Sequence, residues 1–154
     1  MTPAILAAKR ARIAHTVHEY DSQVGAGYGV EAAECLGVAP ERVFKTLVAK
    51  LDERKLVVAV VPVAALLDLK RLAAAAGAKR AAMADAKEAE RSSGYVVGGI
   101  SPLGQRKPLP TFVDESALAF PTVFVSAGRR GLEIELAPQD LLAACGGVAA
   151  AIRR

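Results

Sequence analysis

The chain has 154 residues, 53% of them hydrophobic and 23% charged. That length and balance suit a single soluble domain with one continuous core, spanning residues 1–154, and exclude a disordered chain or a disulfide-stapled miniature. Lys and Arg number 20 against 16 Asp and Glu, a net charge of +4. This mild excess permits a nucleic-acid partner through phosphate contacts without demanding one. No apolar run reaches the ~18 residues of a membrane span, because Pro62 breaks the most apolar region, 56–67. The first residues lack the basic, apolar, small-residue order of a signal peptide, so the expected location is the cytoplasm with no membrane partner. Cys35 and Cys145 sit among apolar neighbours with no paired spacing and are expected to be buried, inert thiols.

Thr2 followed by Pro3 is a helix start, predicting a helix to about Arg12. Residues 13–20 alternate with a period of two and predict a strand. His15 and His18 have opposite parity on it, which argues against a shared metal and for surface or edge positions. Gly25, Gly27 and Gly29 surround Tyr28 in a predicted loop, where the aromatic either covers a ligand or anchors the loop to the core. A helix over 30–36 ends at Gly37, and Pro40 opens a short helical turn. Residues 44–49 and 56–61 flank the charged turn 52–55 and predict a β-hairpin whose second strand is buried on both faces. Lys45 stands at the start of that hairpin between Phe44 and Leu47, where its charge must either reach solvent along its stem or meet an anion.

Asp68 caps a helix over 69–76 that stops at Gly77, 79–82 is a short strand, and Asp85 caps a helix to about Arg91. Residues 94–104, Gly-Tyr-Val-Val-Gly-Gly-Ile-Ser-Pro-Leu-Gly, form the least ordinary stretch. So many glycines imply unusual dihedral angles or a close approach of main chain to a ligand. Strands follow over 111–113 and 122–126 with a helical turn between them, then a tight basic turn over 127–131. Residues 132–136 form a strand that places Glu133 and Glu135 on one face. Pro138 starts a last helix that breaks at Gly146-Gly147 before a short Ala-rich tail. The fold class is α/β (α+β), a mixed sheet with many antiparallel pairs.

Gly99 to Gly104 has the glycine spacing of a phosphate-binding P-loop, but Gln105-Arg106 follows where Lys and Ser/Thr are required, and Pro102 lacks a donor N–H. There is no dinucleotide fingerprint, zinc-protease motif, Cys/His cluster or nucleophile elbow. Two histidines on one early strand serve a nucleophile-and-base hydrolase poorly. Positioning and backbone contacts are the expected means of any catalysis.

Phe44-Lys45-Thr46-Leu47, Val60-Val61-Pro62-Val63, Leu67-Asp68-Leu69-Lys70, Met83-Ala84-Asp85, the run from Arg91-Ser92-Ser93 through Gly104, and the run from Gly128 to Leu136 occur in this order along the chain. In them the chain resembles the YbaK/EbsC family of Cys-tRNA(Pro) deacylases, related to the editing domain of bacterial prolyl-tRNA synthetases. The resemblance implies a free-standing editing enzyme acting on cysteine wrongly attached to tRNA(Pro), with prolyl-tRNA synthetase as a partner. It also implies a curled, mostly antiparallel sheet with flanking helices, and neither metal nor cofactor. By position it assigns the central role to Lys45, main-chain contacts to Gly98, and adenosine contacts to Thr46. Tyr20, Tyr28, Ser126 and Glu133 match other pocket positions, and Gly99, Ile100, Ser101 and Pro102 continue the glycine-loop wall. The family pattern has Phe at Tyr28 and Asp at Glu133, exchanges that alter pocket size or reach. The resemblance further implies cleavage assisted by the substrate's own thiol. An Ala-tRNA(Pro) deacylase of the same superfamily and a non-catalytic module for tRNA 3′ ends are the alternatives. The basic pairs Lys79-Arg80, Arg106-Lys107 and Arg129-Arg130 are candidate contacts for acceptor-stem phosphates.

Overall fold

The computed structural model describes residues 1–21 and 28–154, except for the side chains of Tyr28 and Gly29. Most of the glycine-rich segment expected to carry Tyr28 as a lid or anchor thus lies outside the described residues. The main chain of Tyr28 opens a helix. In chain order the elements are α1 (Pro3–Arg10), β1 (His15–Glu19), α2 (Tyr28–Leu36), β2 (Phe44–Leu51), β3 (Lys55–Pro62), α3 (Leu69–Ala76) and β4 (Ala81–Met83). There follow α4 (Ala86–Ser93), β5 (Thr111–Asp114), β6 (Val123–Arg129), β7 (Leu132–Leu136), α5 (Pro138–Cys145) and β8 (Gly147–Ala150), with 3₁₀ turns at Pro40–Arg42 and Glu115–Ala119.

Local chemistry sets most of these boundaries. Thr2 Oγ1 accepts from Ile5 N at 3.2 Å, Asp68 Oδ1 from Arg71 N at 3.0 Å and Asp85 Oδ1 from Glu88 N at 2.7 Å, capping α1, α3 and α4. Gly77 and Gly94 close α3 and α4 in the left-handed conformation.

The strands form two sheets, β1-β7-β6 and β4-β2-β3-β5-β8, joined by an isolated bridge between Val43 and Phe124. Among the described residues four strand pairs are antiparallel, and the β3-β5 and β5-β8 pairs are parallel. β3 is the central strand, and it is buried on both faces, as its unbroken apolar run predicts. Val58 and Val60 join the core shared with Val123, Val125 and Ile134 of the other sheet, while Val57, Ala59 and Val61 pack beneath Leu72 of α3. A third cluster joins Ala32 and Ala33 of α2 to Val43 and Phe124 beside the bridge.

Three expectations are corrected. The Ala-rich tail is a strand: β8 pairs parallel with β5 from Thr111↔Gly147 to Asp114↔Ala150. Asp114 clamps the chain just beyond, its Oδ1 accepting from the N–H groups of Ile152 and Arg153 at 3.1 Å. The turn placed over 127–131 is mostly strand, because β6 runs on to Arg129 through an irregularity between Ser126 and Arg129. Cys35 is exposed, since the inner face of α2 is the one carrying Ala32 and Ala33.

Candidate active site

β4 pairs with β2 only over Ala49–Leu51. Ahead of that pairing Ala84 N still donates to Val48 O at 3.1 Å, and beyond this the edge of β2 has no paired strand among the described residues. Beyond the Val43–Phe124 bridge β2 and β6 make no further pair. A cavity of about 460 Å³, within the usual range for small-molecule sites, opens in the gap. Lys45 and Thr46 line it from β2, Ser126 from β6, Glu133 from β7, Tyr20 from just past β1, and Gly98 and Ile100 from the loop after α4. The strand registers bring the distant ones together. Glu133 faces Ser126 on one side and His18 on the other, and Tyr20 N donates to Gly131 O at 3.0 Å.

Seven of the residues expected at the site thus surround one space. Gly99, Ser101 and Pro102 do not line it. A Cβ on Gly99 would stand 2.7 Å from Arg129 Cα, so this glycine lets the loop lie against β6. Ser101 is fully buried, and its Oγ accepts from Leu103 N at 3.2 Å. Gly104, with φ +66°, is pressed on α1, where a Cβ would lie 2.5 Å from Pro3 O. Most of the glycines in 94–104 therefore serve contacts of chain with chain. Gly98, at φ +97°, is the one that lines the cavity.

The loop is pinned next to Gly98. Glu90 of α4 holds it twice, its carbonyl accepting from Gly94 N and its Oε2 from Val97 N, both at 2.9 Å, and Gly99 N donates to Val96 O. The apolar lining from Phe44, Val63, Met83, Ala84 and Val97 was not assigned by the sequence reading. All five fall within the stretches that carry the family resemblance, the one signal that pointed there.

Three of the described lining residues are ionisable, Lys45, Glu133 and Tyr20. Burial lowers the Lys45 ammonium below its usual value. Burial also pushes the Glu133 carboxyl from 4.5 up to about 8. Glu133 therefore keeps its proton through most of the neutral range, leaving Lys45 as the cavity's principal charge. Burial first, and then the Glu133 carboxylate once ionised, raise the Tyr20 phenol. Thr46 Oγ1 is buried with no hydrogen-bond partner among the described residues, an orphaned polar atom on the cavity-lining strand.

Neither histidine lines the cavity. His18 Nε2 lies 2.9 Å from Glu135 Oε1, in a cluster with Thr122 and Arg42. His15 Nδ1 hydrogen-bonds Ile13 O at 2.6 Å. The described lining residues contain no cysteine, and the lone serine, Ser126, accepts from Gly128 N at 3.2 Å. No nucleophile and base are paired there, and the described residues hold no cluster suited to a metal.

A family model described as the aminoacyl-tRNA editing domain matches residues 26–144. The chain belongs to that family. Over 115 residues, 75% of this chain and 70% of the relative, the editing domain is 45% identical to EbsC of Enterococcus faecalis, described as a candidate Cys-tRNA(Pro)/Cys-tRNA(Cys) deacylase. It is 32% identical over 111 residues to the uncharacterised protein YwhH of Bacillus subtilis, 72% of this chain and 70% of that one. Two crystal structures share its fold at 24% identity. A hypothetical protein, APE2540, matches with a TM-score of 0.89 over 99% of this chain and 100% of its own. A candidate trans-editing enzyme for prolyl tRNA synthetase matches with 0.83 over 100% and 99%. The editing-domain match covers every lining residue named above except Tyr20.

Proposed function

We propose that this editing domain is a trans-acting deacylase that hydrolyses cysteine from tRNA(Pro). The observation that carries the reading is a cavity with one principal cation, Lys45, and no paired nucleophile and base among its described lining residues, in a chain of the aminoacyl-tRNA editing family. The name of the 45% identical relative points to the same substrate class.

Such a site suits a substrate that carries its own nucleophile. A cysteinyl ester has a thiol of pKa ~8.5, with some thiolate at neutral pH. That sulfur attacks the carbonyl carbon of its own ester, a C–S bond forms, and the C–O bond to the terminal ribose breaks. The ribose oxygen leaves and takes a proton, and water then opens the thiolactone to free cysteine. Aligned intramolecular attack reaches effective molarities of about 10⁵ to 10⁸ M, with a strained four-membered ring lower in that scale. The protein's part is to fold the ester onto itself. The wall at Gly98 and Ile100 confines the aminoacyl group, Thr46 offers its unpartnered hydroxyl to the adenosine, and Lys45 offsets charge on the leaving oxygen or the 3′-terminal phosphate. Prolyl and alanyl esters have no thiol and are spared by chemistry. The reaction belongs in the cytoplasm beside prolyl-tRNA synthetase, which supplies the choice of tRNA.

Incubation with Cys-, Ala- and Pro-tRNA(Pro) tests this. Release of cysteine alone is expected. Release of alanine instead assigns an alanyl deacylase, and binding without any release assigns a non-catalytic module. Lys45→Ala should lower the rate on the order of 10²-fold with the fold intact. Full activity in that variant would return Lys45 to the role of a strand-edge lysine reaching for solvent.

A further inference from the structure

The three basic pairs of the sequence are not equivalent in the fold. Arg80 Nη2 lies 3.8 Å from Glu53 Oε1, and the N–H groups of Lys79 and Arg80 donate to Asp52 Oδ1 at 3.1 and 3.0 Å. This pair sits at the hairpin turn, three residues before the cavity-lining Met83, or roughly 10 Å at ~3.3 Å per residue, and its contacts are with Asp52 and Glu53 rather than with the loop that carries Gly98.

The other two pairs close on the loop that supplies Gly98. Arg106 N donates to Ser93 O and Lys107 N to Ser92 O, both at 2.9 Å, and a Cβ on Gly94 would lie 3.3 Å from Arg106 Cβ. Arg106 and Lys107 thereby share the C-terminal end of α4 with Arg91. On the other side, Arg129 rests on Gly99 through its main chain. Arg91, Arg106, Lys107 and Arg129 are all exposed, and none forms an ion pair with the described residues. Arg130 is excluded, because its guanidinium lies 2.6 Å from Glu31. The nearest acid on α4, Glu90, is engaged by Val97 N–H.

We infer that these four cations form a rim that seats the phosphodiester backbone of an RNA acceptor stem, while Lys79-Arg80 takes no part. The backbone runs past Arg129 on one flank and past Arg106, Lys107 and Arg91 on the other as the 3′ end enters the cavity. The editing reading is used only to say which nucleic acid enters. Unpaired exposed cations are what phosphate binding requires, since each releases a condensed counterion without first breaking an ion pair. Such contacts position the substrate and carry no sequence information, so the rim accepts any acceptor stem of this geometry.

The test uses the full chain and a fluorescent, deacylated acceptor-stem minihelix ending in CCA, titrated at several salt concentrations. Arg129→Gln and the double variant Arg106→Gln/Lys107→Gln should each weaken binding several-fold. The slope of log affinity against log salt should become shallower by roughly 0.7–0.9 per cation removed. Lys79→Gln/Arg80→Gln should match the parent in both. All the altered side chains are exposed, and thermal melts check that each variant folds. Unchanged affinity in the rim variants, or an equal loss in the Lys79/Arg80 variant, overturns the inference. Cysteine release by the parent, measured separately, decides the editing reading. Rim-dependent binding with no ester cleavage removes that reading and keeps the rim, whereas cleavage with rim-independent binding removes the rim alone.

Discussion

Glu133→Gln replaces a carboxyl of only 6% exposure with a group of nearly the same shape that cannot ionise. In the folded protein burial raises the Glu133 pKa from 4.5 to about 8. Below 4.5 the folded and unfolded chains both hold the proton, and the group adds no pH dependence. Between 4.5 and about 8 the unfolded chain releases a proton that the folded chain keeps, so stability falls as pH rises. Above about 8 both are ionised, and the loss is complete. At ~1.36 kcal/mol per pH unit this interval corresponds to on the order of 4–5 kcal/mol. Urea denaturation of parent and Glu133→Gln, from pH 4.5 to 8.5, reads the effect directly. The variant's stability relative to the parent should climb steadily with pH, and its urea midpoint should gain about 2 M by the alkaline end. All other titrating groups are shared, so they cancel in the difference. Parallel curves would show that the Glu133 carboxyl stays solvated and that the cavity's charge is not set by Lys45.

Gly104→Ala should destabilise the fold by about 2–4 kcal/mol, since its Cβ would stand 2.5 Å from Pro3 O at φ +66°, and thermal melts measure the loss. Glu90→Ala removes the carboxylate that accepts from Val97 N, and kcat on Cys-tRNA(Pro) should fall about 10-fold with little change in KM. Glu90→Gln keeps an acceptor oxygen and should restore most of kcat. Equal loss in both variants would assign Glu90 a purely electrostatic role.

The elements legible in the sequence were those whose ends are written in local chemistry. Asp68 with Gly77, Asp85 with Gly94, and Thr2 with Pro3 mark helices because each cap is settled by atoms within three or four residues. β8 was missed because Val148-Ala149-Ala150 has no usable periodicity. Its strand character comes from β5, some 36 residues earlier in the chain. The division into two sheets was also hidden, since one bridge between Val43 and Phe124 separates pairing from parting. Cys35 was misplaced because apolar neighbours in sequence do not settle which face of a helix meets the core.

The site was legible unevenly for the same reason. Parity placed Glu133 and Glu135 on one face, yet their environments diverge. Glu135 meets His18, Thr122 and Arg42 and is held below the usual carboxylate range by hydrogen bonds from Thr122 and His18 against its partial burial. Glu133, two residues away, has no such donors among the described residues and is driven the other way by burial. Nothing local distinguishes them; the distinction comes from His18, Thr122 and Arg42, which meet Glu135, and from the cavity walls that bury Glu133. The glycines of 94–104 follow the same logic. Glycine content reports that something approaches the main chain, and it does not say what. At Gly99 the visitor is β6 and at Gly104 it is α1. With Gly94 set against Arg106, that leaves Gly98, held between the Glu90-anchored Val97 and the buried Ile100, as the glycine whose main chain lines the cavity.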